Sequence, residues 1–160
     1  MLLAVLLLAP GCGFQLRGEV ELPPVLRTTY LAAGSAPAQF VDVLRRSLLD
    51  AGATLASEPV SEGSVLKISQ VSEDKRVLSV DSVTGKVREY ELHFAVRFSL
   101  ADARGRTLID PQWVGVTRDF RFSETEVLGK SEEEGLLKRE MYDEVVRQLV
   151  RRVVAQTPAS

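Results

Sequence analysis

The chemistry of this chain starts at its one thiol. Cys12 ends the run Leu6-Leu7-Leu8-Ala9-Pro10-Gly11-Cys12 and is the only cysteine among 160 residues. A short apolar stretch passing into small residues has the form of a secretory leader. Leu2 to Ala9 falls far short of the roughly 20 residues that a spanning helix needs. A cysteine at such a cleavage point reads as a bacterial lipoprotein signal, in which residues 1–11 are removed and the thiol takes a diacylglycerol. The alternative is a small thiol buried behind a frayed terminus. Two features depart from the usual leader: Ala9 stands where Leu or Val is common, and no Lys or Arg precedes the leucines. A start site assigned too far downstream would account for the second.

The remaining reactive side chains do not assemble an enzyme. His93 is the only histidine, and nucleophilic catalysis needs a base together with a group that orients it. There is no G-x-S-x-G, H-E-x-x-H or glycine-rich phosphate loop. With one His and one Cys, neither a metal site nor a cofactor is expected. Glu132-Glu133-Glu134 is a charge run of the kind that opens a helix, not a catalytic carboxylate pair. Basic residues stand out at two places, Lys86 with Arg88, and Lys130 alone. Lys130 is either an ordinary surface lysine or a cation aimed at an anionic ligand such as a phosphorylated lipid.

Composition agrees with one exported domain. Charged residues make up 26% and hydrophobic ones 45%, and the net charge is −2, which argues against a nucleic-acid binder. A lone cysteine permits no internal disulfide, and lipidation explains why an exported chain would carry one.

The elements that must position these residues are legible from periodicity. The expected organisation is a leader over 1–11, a lipid-anchored linker over 12–26 stiffened by Pro23-Pro24, a single domain over 27–156 and a tail over 157–160. Arg27 to Ala33 is rich in β-formers and reads as a strand. Ser35 and Pro37 signal a helix start. Phe40, Val43, Leu44, Leu48 and Ala51 then form one apolar stripe, and Gly52 stops it. Val65 to Val71 reads as a second strand. It breaks at Glu73-Asp74-Lys75, resumes over Arg76 to Val80, and leads to a hairpin tip at 81–86.

The strongest strand follows. Tyr90, Leu92, Phe94, Val96, Phe98 and Leu100 alternate with Glu91, His93, Ala95, Arg97 and Ser99. Strict period two means one face in the core and one outside it. Thr107 to Phe122 gives a fourth strand, with Pro111 and Gly115 marking an edge or a bulge. Glu124 to Lys130 reads as a loop. Ser131 and Glu134 form a capping box for a last helix that ends near Gln156. The order β-α-β-β-β-α predicts an α+β two-layer sandwich, two helices on a four-stranded, mostly antiparallel sheet. Its open face, with Glu91, His93 and Arg97, is either wet or a docking face.

Ordered along the chain, several segments resemble one family. Cys12-Gly13-Phe14-Gln15-Leu16-Arg17 is similar to the lipidated start of the LPS-assembly lipoprotein LptE family. Glu89-Tyr90, Val127-Leu128-Gly129-Lys130, Lys138-Arg139-Glu140-Met141-Tyr142-Asp143 and Gln148-Leu149-Val150-Arg151-Arg152 resemble its long strand, last loop and last helix. The resemblance implies a non-enzymatic outer-membrane lipoprotein on the periplasmic side of a Gram-negative envelope, anchored by diacylglycerol and palmitate on Cys12. It would plug the β-barrel LptD, assist that barrel's assembly, and help lipopolysaccharide reach the outer leaflet. It further implies lipopolysaccharide contact through Lys130, with Lys86 or Arg88 serving at the hairpin, and barrel docking through Glu91, His93 and Arg97. A generic periplasmic lipoprotein, serving as the binding module of an envelope lipid transporter, is the other reading of the same anchor and fold.

Overall fold

The computed structural model describes residues 22–121 and 127–157, the last helix in side-chain detail from Glu132 onward. Cys12, the leader and the segment Gly13 to Arg17 lie outside the described residues.

Alternation in β4 (Val87–Asp102) organises the sheet. Leu92, Phe94, Val96, Phe98 and Leu100 are each no more than 2% exposed, so one face of the strand is core throughout. A long hairpin partner, β3 (Ser64–Val80), and a following strand, β5 (Thr107–Arg121), pair antiparallel on its two sides. The first strand, β1 (Thr28–Ala32), joins β3 in parallel, through Thr29↔Ser64 to Ala32↔Lys67.

The sheet has five strands, not the four expected from the sequence. The extra one, β2 (Thr54–Ala56), pairs in parallel with β1, giving the order β2-β1-β3-β4-β5 and a mixed sheet. Three residues are too few to show a period. Their conformation comes from tertiary pairing with β1, including Thr54 N–H donating to the Arg27 carbonyl at 2.6 Å.

A second difference lies in β3, which runs unbroken through Glu73-Asp74-Lys75. The expected break is absent because the two charges on the helix-facing side have partners there. Glu73 meets Lys138 at 2.9 Å and Lys75 meets Glu134 at 2.5 Å. Irregularity appears instead as register shifts near Ile68/Gln70 and Val77/Ser79.

Both helices, α1 (Ala38–Asp50) and α2 (Val127–Gln156), lie on the core face. Phe40, Leu44 and Leu48 of α1 are buried. Its end is a Schellman motif: Gly52 N–H donates to Leu49 O and Ala53 N–H to Leu48 O, both at 2.9 Å, and Gly52 takes the left-handed φ of +89° this requires. Its start differs from the expectation, since Pro37 holds the cap position with no side-chain cap bond and Ser35 does not serve. The last helix also starts early. Residues 127–130 are already helical, so Ser131 is not its cap and Lys130 stands in its first turn instead of a preceding loop. A local capping signal is worth only ~1 kcal/mol and is easily overruled by a longer packed helix.

The centre of the core is aromatic. Phe94 lies 5.3 Å from Phe40 and 4.6 Å from Tyr142, ring centre to ring centre, tying β4 to both helices at one point. Such tilted and edge-on pairs contribute about 0.5–1.5 kcal/mol beyond the area they bury. Leu22 and Leu26, at the end of the expected linker, are buried in the same cluster.

Candidate functional site

Two surfaces carry the residues singled out by the sequence. The first is the β3–β4 hairpin. Pairing between β4 and β5 reaches Glu89↔Arg121, while β3 and β4 continue to Val80↔Val87 and then turn. Asp81 builds the turn. Its Oδ1 accepts from the Thr84 N–H at 2.8 Å, the Thr84 hydroxyl at 3.0 Å and the Val83 N–H at 3.0 Å. Arg88 donates to its other oxygen. The Thr84 amide, with the other donors behind it, holds the Asp81 carboxyl far below the usual carboxylate range. Gly85 supplies the left-handed step, at φ +70°. Arg88 is therefore tied into the turn, and Lys86 stands exposed beside it.

The second surface is the open face of the sheet. Glu91, His93 and Arg97 share it because they fall at even spacing on β4, successive side chains of one face standing about 6.8 Å apart. Each meets a cross-strand partner. Glu91 pairs with Arg76 at 2.5 Å, His93 Nδ1 lies 3.2 Å from the Thr117 hydroxyl, and Arg97 donates to Gln70 Oε1 at 3.5 Å. Trp113, opposite Arg97 on β5, is 45% exposed. This is a mixed, largely paired polar face with one aromatic, suited to contact with another polar surface.

Lys130 lies in the first turn of α2, and ion pairs further along tie that helix to β3. Lys138 meets Glu73, and one helical turn earlier Glu134 meets Lys75. Four helical residues advance about 6 Å, and two strand residues about 6.8 Å, so helix and strand stay in step. Lys86 and Arg88 thus belong to the hairpin end of the molecule, while Glu91, His93 and Arg97 belong to one face.

Sequence reading missed the network that fixes this alignment. Lys138 bridges Glu73 and, at 3.7 Å, Glu134. Lys75 also lies 4.3 Å from the centre of the Tyr90 ring, a cation–π contact. The bond to Glu73 raises the pKa of Lys138. Burial, aided by the nearby Glu73 charge, raises that of Tyr142. The only sequence trace of the network is the charged triplet on β3, read there as a break. Among the described residues no group of three or more His, Cys, Asp or Glu side chains could hold a metal ion.

Comparison with known proteins adds a family. The sequence model of LptE, described as lipopolysaccharide-assembly, matches residues 26–153. The LPS-assembly lipoprotein LptE of Yersinia enterocolitica is 30% identical over 153 residues, covering 95% of this chain and 72% of that protein. That of Photorhabdus laumondii is 30% identical over 152 residues, covering 95% and 81%. Among solved structures, lipoprotein B from Nitrosomonas europaea superposes with a TM-score of 0.74 at 30% identity, over 89% of this chain and 91% of that one. A minor lipoprotein from Acinetobacter baumannii shares the fold with a TM-score of 0.69 at 21% identity, over 83% and 94%.

Proposed function

The chain belongs to the LptE family of lipopolysaccharide-assembly lipoproteins, and from that premise we propose that it is a lipid-anchored plug and transport factor of the outer membrane. Cys12 carries the anchor. More than one acyl chain on a single residue makes such anchoring stable, where one alone is marginal. The open face, through Glu91, His93 and Arg97, docks against the lumen of an LptD-like β-barrel, whose interior is polar. Lys86, Arg88 and Lys130 present positive charge to the phosphates of lipopolysaccharide. No catalytic step belongs to this role.

The observation that carries the reading is the division of labour in the fold. Two candidate cations, Lys86 and Arg88, stand on the hairpin, and the candidate docking residues line one paired polar face. A single domain can therefore touch a barrel wall and an anionic lipid together.

Co-purification tests it. The tagged lipoprotein is expressed in its native envelope, extracted in mild detergent, and its companions are identified by mass spectrometry. A near-equimolar large β-barrel is the expected result. Inner-membrane transporter subunits without a barrel would instead make the chain a binding module for an envelope lipid transporter.

A further inference from the structure

A crease crosses the sheet at Phe98. On one side of β4 the register shifts between Ile68↔Phe98 and Gln70↔Arg97, and on the other between Phe98↔Gln112 and Leu100↔Ile109. A bulge bends its strand and increases the local twist, so two at one level draw a line across the three long strands. Ser69, the extra residue of the first, is fixed by its hydroxyl, which donates to the Arg97 carbonyl at 3.1 Å. Pro111 falls in the second, where a ladder donor is not needed. β1 stops at the same level, its last partner on β3 being Lys67. The last helix is fastened near this line. Gln112 donates to Gln156 at 2.7 Å and Arg152 to the Trp113 carbonyl at 2.8 Å. From there α2 runs out over the outer half of the sheet as far as Lys75.

Packing does not fix the angle of that outer half on its β3 side. Protein interiors leave few voids larger than a water molecule. Here a cavity of about 310 Å³ lies between helix and sheet, lined by Glu73, Lys75, Leu92, Phe94, Lys138 and Tyr142. Ion pairs bridge it. Glu73, Lys138, Glu134 and Lys75 follow one another with alternating charge, at 2.9, 3.7 and 2.5 Å. Their side chains keep between 22% and 37% of their exposure, so salt and competing charges reach them. We propose that the outer half of the sheet hinges at the crease, and that Glu134 and Lys138 are positioning residues that hold it at one angle. A hinge needs only a few residues that absorb a backbone change, and the two bulges supply them. The ionic brace is the catch: closed, it carries the hairpin tip in one place, and opened, it lets the tip swing.

Double electron–electron resonance on the full-length lipoprotein in detergent tests this. Nitroxide labels go on Val83→Cys at the exposed tip and on Arg45→Cys, exposed on α1; the acylated sulfur of Cys12 takes none. The parent protein should give one narrow distance. Lys138→Met combined with Glu134→Gln removes the brace and should at least double the width of the distribution. Lys138→Arg, which keeps the charge, should leave it narrow. Salt at about 1 M, which screens charges within about 3 Å, should broaden the parent too, so the answer does not depend on the variant folding. A narrow distance that survives both the double substitution and high salt would overturn the brace. A broad distance in the parent would overturn it as well, since nothing would then be held. Equal broadening by Lys138→Arg and by the uncharged pair would trace the effect to lost lysine packing and sink the ionic catch. Each outcome concerns the angle of the sheet alone and leaves the docking and lipid roles proposed above where they stand.

Discussion

The Cβ that Gly115 lacks would stand 2.5 Å from the Cβ of Ala95, its partner across β5 and β4, and 2.8 Å from the Phe94 carbonyl oxygen. The open face therefore has no room for a side chain at this position, and Ala95 is only 7% exposed although it faces away from both helices. Two of the three close atoms are backbone, so they cannot swing aside. Gly115→Val should cost about 1–3 kcal/mol, the usual range for overpacking, seen as a lower urea midpoint with unchanged slope. Unaltered stability would mean that Gly115 and Ala95 are not paired.

The two faces of β4 should respond in opposite ways. Phe94 is 2% exposed and joins Phe40 and Tyr142; Phe94→Ala should cost about 3–5 kcal/mol, and Phe94→Asp should unfold the domain. Arg97, one bond from Gln70 on the open face, should change stability by no more than about 0.5 kcal/mol on replacement by Ala. Equilibrium unfolding of the variants decides it, and a Phe94→Asp protein melting like the wild type would break the strand register.

Which parts of this fold were legible follows from where each element gets its stability. β4 announces itself because a single buried face imposes strict alternation on residues 90–100. Both helix stripes and the Gly52 stop are local too. β2 is invisible because three residues acquire their form only by lying beside β1. The triplet Glu73-Asp74-Lys75 misleads because its partners, Lys138 and Glu134, lie about sixty residues away on α2. The site divides in the same manner. Charge and hairpin signals mark Lys86 and Arg88, but that Arg88 is bound to Asp81 is a tertiary fact.

Asp81 should titrate as an outlier. The Thr84 amide and the other donors stabilise its charged form, so its folded pKa lies below the ordinary value. The stabilisation from this group is present above an unfolded pKa of about 3.9 and is lost as pH falls from there towards the folded value. Carboxyl-carbon NMR should show Asp81 still charged when exposed carboxylates have been protonated. Titration alongside them would mean that the turn is not held by Asp81.

At the alkaline end Lys138 and Tyr142 act together. The pKa of each is raised in the folded state, Lys138 by its bond to Glu73 and Tyr142 by burial. The folded protein then holds more protons than the unfolded chain once the pH passes about 10, and stability falls with rising pH. Tyr142→Phe removes one of the two groups and should flatten the decline in melting temperature above that pH. An equally steep decline in the variant would show that Tyr142 ionises as freely folded as unfolded.

Charge reversal tests the ligand role of Lys130. The helix reaches back to Val127, so Lys130 occupies a first turn, where the backbone dipole already favours anions and a cation adds nothing to helix stability. Lys130→Glu should therefore leave folding intact, or improve the melting temperature slightly, while weakening lipopolysaccharide binding. Lys86→Glu should act in the same direction, and the double variant should lose more than either alone. Arg88→Ala should also loosen the turn, because Arg88 is bound to Asp81. Binding is measured on each purified lipoprotein beside its thermal melt, at fixed salt, since exposed charges are screened within about 8 Å at physiological ionic strength. A Lys130→Glu protein that folds and binds lipopolysaccharide as tightly as the wild type would reduce Lys130 to an ordinary surface lysine and leave the hairpin as the site of contact.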